Sequence, residues 1–113
     1  MAYKSICHIV PNGNYYWLLE GTSLLHRADG PAYESTNGYA AWYWLGRYHR
    51  EDGPAILWDY QHLNLPPFEE WYIQGKRLTG QVLQDYKRAL SEKDEDTRLA
   101  ILGILELQGD NNV

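Results

Sequence analysis

A seven-residue motif that occurs twice constrains the fold of this chain more than any other feature. His-Arg-Ala-Asp-Gly-Pro-Ala at 26–32 returns 23 residues later as His-Arg-Glu-Asp-Gly-Pro-Ala at 49–55, with six of the seven residues identical. Each copy follows an aromatic residue and a glycine. We align Trp17, Trp44 and Trp71 as equivalent, although the third segment has lost the His-Arg-Asp signature. Recurrence at this period predicts one β-hairpin per repeat, stacked into an elongated sheet.

The chain before Thr79 is typical of an antiparallel meander. Short runs rich in Tyr, Trp and Ile alternate with Gly, Pro and Asn turn signals. Asn37-Gly38 lies between two aromatic runs and is a strong hairpin signal. We predict roughly six to eight strands in sequential hairpins. The two prolines before Phe68 favour an irregular connection there.

The chain after Thr79 loses most of its Gly and Pro and predicts two helices. Ser91, with Asp94 three residues on, resembles a capping box that starts the second helix, which we expect to end near Gly109. Its apolar run, 99–107, is wide enough to pack on two sides. The stripe predicted for the first helix consists of Val82, Leu83, Tyr86 and Leu90.

These patterns predict an α+β fold in one domain, 1–113, with an antiparallel repeat sheet at 1–78 and two helices at 79–109. The helices either pack on the sheet or form a dimer contact with a second copy of the chain. Leu102 and Leu105 are the predicted oligomer contact.

Each residue of the motif has a plausible structural role. Asp-Gly forms a tight turn in which we expect the glycine to supply a positive φ, and the proline fixes φ as the chain enters the next strand. Arg27 with Asp29, and Arg50 with Asp52, can form ion pairs across the turn. The histidines can stack on the Trp of the repeat, and the alanine leaves room for a neighbouring ring.

The alternative interpretation is a small-ligand or nucleotide-directed site. His26 and His49 would bind a ligand or act as acid and base, and Arg27 and Arg50 would hold an anion. This requires both histidines to converge on one solvent-filled pocket. The sequence offers no nucleophile in a recognisable setting, no phosphate-binding glycine loop and no metal-ligand spacing. We therefore predict that the protein is not an enzyme and holds no cofactor or metal.

Composition narrows the class of partner. The net charge is −5 and neither half carries a basic field, so nucleic acid is disfavoured. The single cysteine, Cys7, excludes an internal disulfide, and its apolar strand predicts a buried thiol. The sequence shows no secretion signal or membrane-length apolar run, which favours a cytoplasmic location.

The doubled Trp, Gly and His-Arg-x-Asp-Gly-Pro-Ala pattern resembles MORN-type β-hairpin repeats, in a variant found in small bacterial and bacteriophage proteins. The resemblance covers roughly residues 14–80. It implies a single curved antiparallel sheet that binds a partner without catalysis. It also suggests a phage-type accessory protein, acting in the host cytoplasm, that inhibits a host defence protein.

Strand alternation gives both faces of the predicted sheet an aromatic character. Trp42 and Trp44 share one face, and Tyr43 lies on the other. We assign the Trp face to the core, under the helices, and the opposite face to a protein partner, since Tyr and Arg are frequent at interface hot spots. The predicted partner-binding residues are Tyr16, Tyr43, Tyr72, Arg27, Arg47 and Arg50.

Overall fold

The computed structural model describes residues 3–59 and 63–107. Within them the chain forms nine short strands followed by two helices. The strands are β1 Ser5–Ile9, β2 Tyr15–Leu19, β3 Tyr33–Glu34, β4 Tyr39–Ala41, β5 Tyr43–Trp44, β6 Arg47–Tyr48, β7 Ile56–Trp58, β8 Phe68–Ile73 and β9 Lys76–Leu78. The helices are α1 Gly80–Glu92 and α2 Glu95–Leu107.

The strands form a seven-stranded antiparallel sheet in the order β1-β2-β3-β4-β7-β8-β9, with β5 and β6 as a separate two-stranded pair. The predicted α+β meander with two C-terminal helices is confirmed. The strand number was underestimated because the aromatic run 39–48 divides into three strands. At Trp42 the chain leaves the main sheet and pairs with its own hairpin.

The hydrogen-bond register corrects the alignment of the repeats. The carbonyl of Trp42 accepts the N–H of His49 at 3.0 Å, and Trp17 accepts that of His26 at the same distance. Trp42, and not Trp44, is therefore equivalent to Trp17. The alignment slipped because the first hairpin has a longer turn. The equivalent pairs are Trp17 with His26, Trp42 with His49, and Trp71 with Leu78.

The second and third hairpins close through identical two-residue turns. Leu45 and Gly46 have φ of 50° and 83°, and Gln74 and Gly75 have φ of 53° and 78°. Two consecutive positive φ angles define the turn whose twist suits a hairpin, and glycine is favoured there. The first residue of each turn, Leu45 or Gln74, is not a glycine. Its positive φ must therefore be stabilised by a contact from outside the turn.

The helix boundary near residue 93 differs from the prediction. Ser91 lies inside α1, and the N-cap of α2 is Asp94, whose Oδ1 accepts the N–H of Thr97 at 3.1 Å. Lys93 adopts a left-handed conformation, with φ of 57°, that ends α1. An N-cap residue needs only a side-chain oxygen that accepts an N–H of the first turn, so Asp94 caps α2 without Ser91.

The helices pack on the Trp side of the third hairpin. The core there consists of Trp71, Ile73, Leu78, Tyr86 and Leu105, with Leu83, Leu90, Ile101 and Leu102 packed around it. Leu105 is 9% exposed and packs in the core, and Leu102 is half-buried against it. The oligomer contact at these two residues stays a prediction. Val82, predicted in the buried stripe, is exposed, and Ala89 is buried instead.

Glu51, at the variable position of the second motif, joins the helices to the repeats. Its backbone carbonyl accepts the hydroxyl of buried Tyr86 at 2.6 Å. Its carboxylate pairs with Arg98 of α2 at 3.3 Å. The first motif has Ala28 at this position. The residue that differs between the two copies is thus one that contacts both helices.

Cys7 is exposed, contrary to the prediction. It lies on β1, the edge strand, at the end of the sheet that the helices do not cover. In the part of the chain that the structure describes, neither helix has the length and apolar character needed to span a bilayer.

Candidate functional site

The arginine of each motif is held by three contacts. Arg27 pairs with Asp29 at 3.0 Å, donates to the carbonyl of Pro31 at 3.2 Å and lies 4.4 Å above the ring of Trp17. In the second copy, Arg50 makes the same contacts with Asp52 at 3.0 Å, Pro54 at 3.1 Å and Trp42 at 4.0 Å. The predicted ion pairs are confirmed. A cation over a Trp face is attracted by the ring and shields it from water.

The third repeat keeps this cation without the motif. Lys87 of α1 lies 5.5 Å from the centre of the Trp71 ring and pairs with Glu69 at 3.2 Å. A helix side chain thus replaces the arginine that the degenerate third copy lacks. All three equivalent Trp rings carry a cation.

The glycine of each motif is required by the arginine and not by backbone strain. Neither Gly30 nor Gly53 has a positive φ, so that prediction was wrong. A Cβ added to Gly53 would lie 2.7 Å from Cζ of Arg50, and one added to Gly30 would lie 2.9 Å from Cζ of Arg27. The guanidinium crosses directly over the glycine, so an added Cβ would require the flexible end of the arginine to shift from its position.

His26 connects the first repeat to the turn of the second hairpin. Its Nδ1 accepts the N–H of Leu45 at 2.9 Å, and its ring lies 4.2 Å from that of Trp44. The residue has no solvent exposure, and burial lowers its pKa. An accepting Nδ1 places the proton of the neutral ring on Nε2.

His49 makes the same connection one repeat further on. Its Nδ1 accepts the N–H of Gln74, also at 2.9 Å, and its Nε2 lies 3.4 Å from the Glu51 carboxylate. Burial lowers the pKa of His49, and Glu51 opposes the shift without cancelling it. Leu45 and Gln74 are the first positive-φ residues of their turns, so each histidine holds the strained residue of the next hairpin.

The two histidines therefore do not meet in one site. A groove of about 960 Å³ lies between the motif turns and the start of α2, and His49 lines it. His26 has no exposed surface. Both Nδ1 lone pairs are occupied by backbone N–H groups. The convergence that a two-histidine site needs is absent, and residues 3–59 and 63–107 contain no metal-binding cluster of His, Cys, Asp and Glu.

The predicted tyrosine surface is partly used for packing. Tyr43 and Tyr72 lie on either side of Tyr48, with ring centres 4.7 and 5.0 Å apart. Burial and the hydroxyl of Tyr48 raise the pKa of Tyr43. Tyr16 stands apart and stacks on His8. Tyr48 was not among the predicted residues, although it lies directly opposite Tyr43 on the neighbouring strand.

The three predicted arginines are not on this tyrosine side. Arg27 and Arg50 stack on Trp rings, and Arg47 is the cross-strand partner of Trp44. Directly opposed residues of antiparallel strands point to the same side. All three therefore lie on the side of the tryptophans, and the partner-binding role of these arginines and tyrosines stays a prediction.

α2 carries an exposed apolar surface whose residues differ from the predicted contact at Leu102 and Leu105. The side of α2 turned away from the core has no polar residue between 99 and 107 other than Glu106 at its margin. Leu99 is 56% exposed, Ile104 57% and Leu107 89%. The sequence shows how wide the apolar run 99–107 is, but which side of the helix faces the core depends on how α2 packs. We call this surface the outer face of α2: Leu99, Ala100, Gly103, Ile104 and Leu107.

Comparison with protein families, curated proteins and solved structures finds no match to this chain. The MORN-type resemblance of the repeats stays a prediction.

The structural role of the histidines predicts a pH dependence of stability. Because burial lowers the pKa of His26 and His49 below the ordinary value, both are neutral in the fold. Stability is therefore full above about pH 6.5 and falls as the pH drops through the folded pKa values. His26→Asn keeps an acceptor oxygen and cannot titrate, so thermal melts between about pH 7.5 and 5 should show a weaker pH dependence. His26→Ala should also weaken the pH dependence, but it should lower the free energy of unfolding by about 1–3 kcal/mol at neutral pH. An unchanged pH dependence in His26→Asn would contradict the assignment.

One substitution at two glycines should have opposite effects. Gly53→Ala displaces Arg50 from Trp42, so we expect a loss of about 1–2 kcal/mol in the free energy of unfolding, measured by urea titration. Gly103→Ala, in α2 with nothing within 4 Å of the added Cβ, should raise that free energy by up to about 1 kcal/mol. A neutral Gly53→Ala would show that Arg50 does not need the glycine.

Proposed function

We propose that the protein is a non-enzymatic interaction module that binds another protein through the outer face of α2. The exposure of Leu99, Ile104 and Leu107 on one side of a helix supports this most directly. Exposed apolar patches on otherwise polar surfaces commonly mark protein interaction sites. The opposite side of α2 packs in the core around Leu105.

The tyrosine row supports a binding role less well. Tyr43, Tyr48 and Tyr72 are half-buried against one another, and Tyr72 also donates to Glu70 at 3.2 Å. Much of their ring area thus contacts other tyrosines of the chain, and the Tyr72 hydroxyl already has a partner within the chain. Among residues 3–59 and 63–107, the exposed side chains of the outer face of α2 have no comparable packing.

The repeats support the proposal as a rigid platform. His26 and His49 fix each hairpin to the next, and Glu51 and Tyr86 fix the helices to the second repeat. A helix presented on such a platform loses little freedom when it binds, which favours affinity. The repeat resemblance supports a bacteriophage accessory protein as the setting and a host defence protein as the partner.

The test is the capture of proteins from a bacterial lysate by the tagged full chain, compared between variants. Leu99→Gln/Ile104→Gln should lose a stoichiometric protein that the parent captures, because it removes apolar contact without adding charge. Val82→Gln, at an exposed apolar site on α1, is the control and should retain it. Melting curves would verify that both variants stay folded. A partner retained by the α2 variant would contradict the docking surface.

A further inference from the structure

The charges around the outer face of α2 indicate what kind of partner it fits. Asp96 lies one turn before the apolar residues on the same side, and Glu106 flanks them further along. Both are exposed, and the described residues offer neither of them an ion-pair partner. The surface is therefore apolar at its centre and acidic at its margin.

The one cation of α2 does not offset these charges. Arg98 lies on the inner side, where it pairs with Glu95 at 2.8 Å and Glu51 at 3.3 Å. The Glu95 carboxylate raises the pKa of Arg98 further, followed by the Tyr86 hydroxyl, so the guanidinium is engaged on this inner side. Lys76 donates its ammonium to the carbonyl of Leu105 and is likewise engaged.

A second copy of this chain is a poor occupant of the surface. If two α2 helices packed antiparallel about their centres, Asp96 of one would face Leu107 and lie beside Glu106 of the other. In a parallel pair, the two Asp96 carboxylates would meet. Either arrangement brings like charges together at the edge of an apolar contact, which is unfavourable.

The shape of the surface fits another helix. Ala100 and Gly103 lie at its centre, and nothing lies within 4 Å of where a Cβ of Gly103 would be. Small central residues let two helix axes approach to about 8 Å. The stretch from Leu99 to Leu107 spans about 12 Å, or a little more than two helical turns.

We propose that the partner of this protein presents a basic amphipathic helix, which packs its apolar side on the outer face of α2 and places Lys or Arg beside Asp96 and Glu106. The proposal rests on the proposed function. It adds the chemistry of the occupant, an apolar stripe flanked by cations. Opposed charges at the rim set orientation and choice of partner, and the apolar centre supplies the affinity.

The experiment uses the full chain and two synthetic amphipathic helical peptides with the same leucine stripe. One carries lysine and the other glutamate at every remaining charged position. We expect the parent protein to bind the lysine peptide about tenfold more tightly than the glutamate peptide, measured by fluorescence anisotropy. Asp96→Lys/Glu106→Lys should reverse that preference. Glu20→Lys/Glu34→Lys, with the same change in net charge away from α2, should leave it in place.

The outcomes separate the two proposals. If Leu99→Gln/Ile104→Gln abolishes peptide binding but the parent binds both peptides equally, the docking surface stands and the basic partner is wrong. If that variant binds the lysine peptide as the parent does, both proposals fail. If the parent forms a dimer in sedimentation and the same variant is a monomer, the occupant is a second copy and the basic partner is wrong.

Discussion

The hydrogen bond from a turn N–H to a histidine Nδ1 is the interaction on which the repeat stack depends. A two-residue turn with positive φ leaves its first residue strained and its N–H pointed out of the hairpin. His26 accepts that N–H from Leu45, and His49 accepts it from Gln74. The bond exists only while the imidazole is neutral, and burial, which lowers the pKa of both histidines, favours that form. One residue type thus fixes the position of each hairpin relative to the preceding one.

The end of the stack follows from the loss of that residue. In the third hairpin Leu78 stands where a histidine would be, and no further hairpin needs an acceptor. The helices close this end: Leu78 joins their core, and Lys87 covers the Trp71 ring. A repeat array needs a terminal unit that buries its last apolar face. Here α1 and α2 are that unit, with Glu51 as the anchor.

The sequence predicts the fold well because turn signals and alternation are local properties. The ion pairs Arg27–Asp29 and Arg50–Asp52 could be predicted because the two residues of each pair lie two positions apart in the sequence. The glycines of the motif were misinterpreted because Gly30 and Gly53 respond to a guanidinium, a tertiary contact that φ preferences do not describe. The side of α2 that faces outward depends on docking against Trp71 and Ile73, which helical periodicity alone cannot give. The repeats were aligned two residues out of register because the first turn is longer than the second, which shifts the equivalent residue from Trp44 to Trp42.

The structural role of the two histidines is the central claim about the repeats. Its most direct test is NMR detection of the hydrogen bonds themselves, through ¹⁵N–¹⁵N coupling across an N–H···N bond in uniformly labelled protein. We predict correlations between the amide nitrogen of Leu45 and Nδ1 of His26, and between that of Gln74 and Nδ1 of His49. Slow amide exchange at both positions should accompany them. Rapidly exchanging amides without these couplings would contradict the account and return the histidines to the candidates for chemistry.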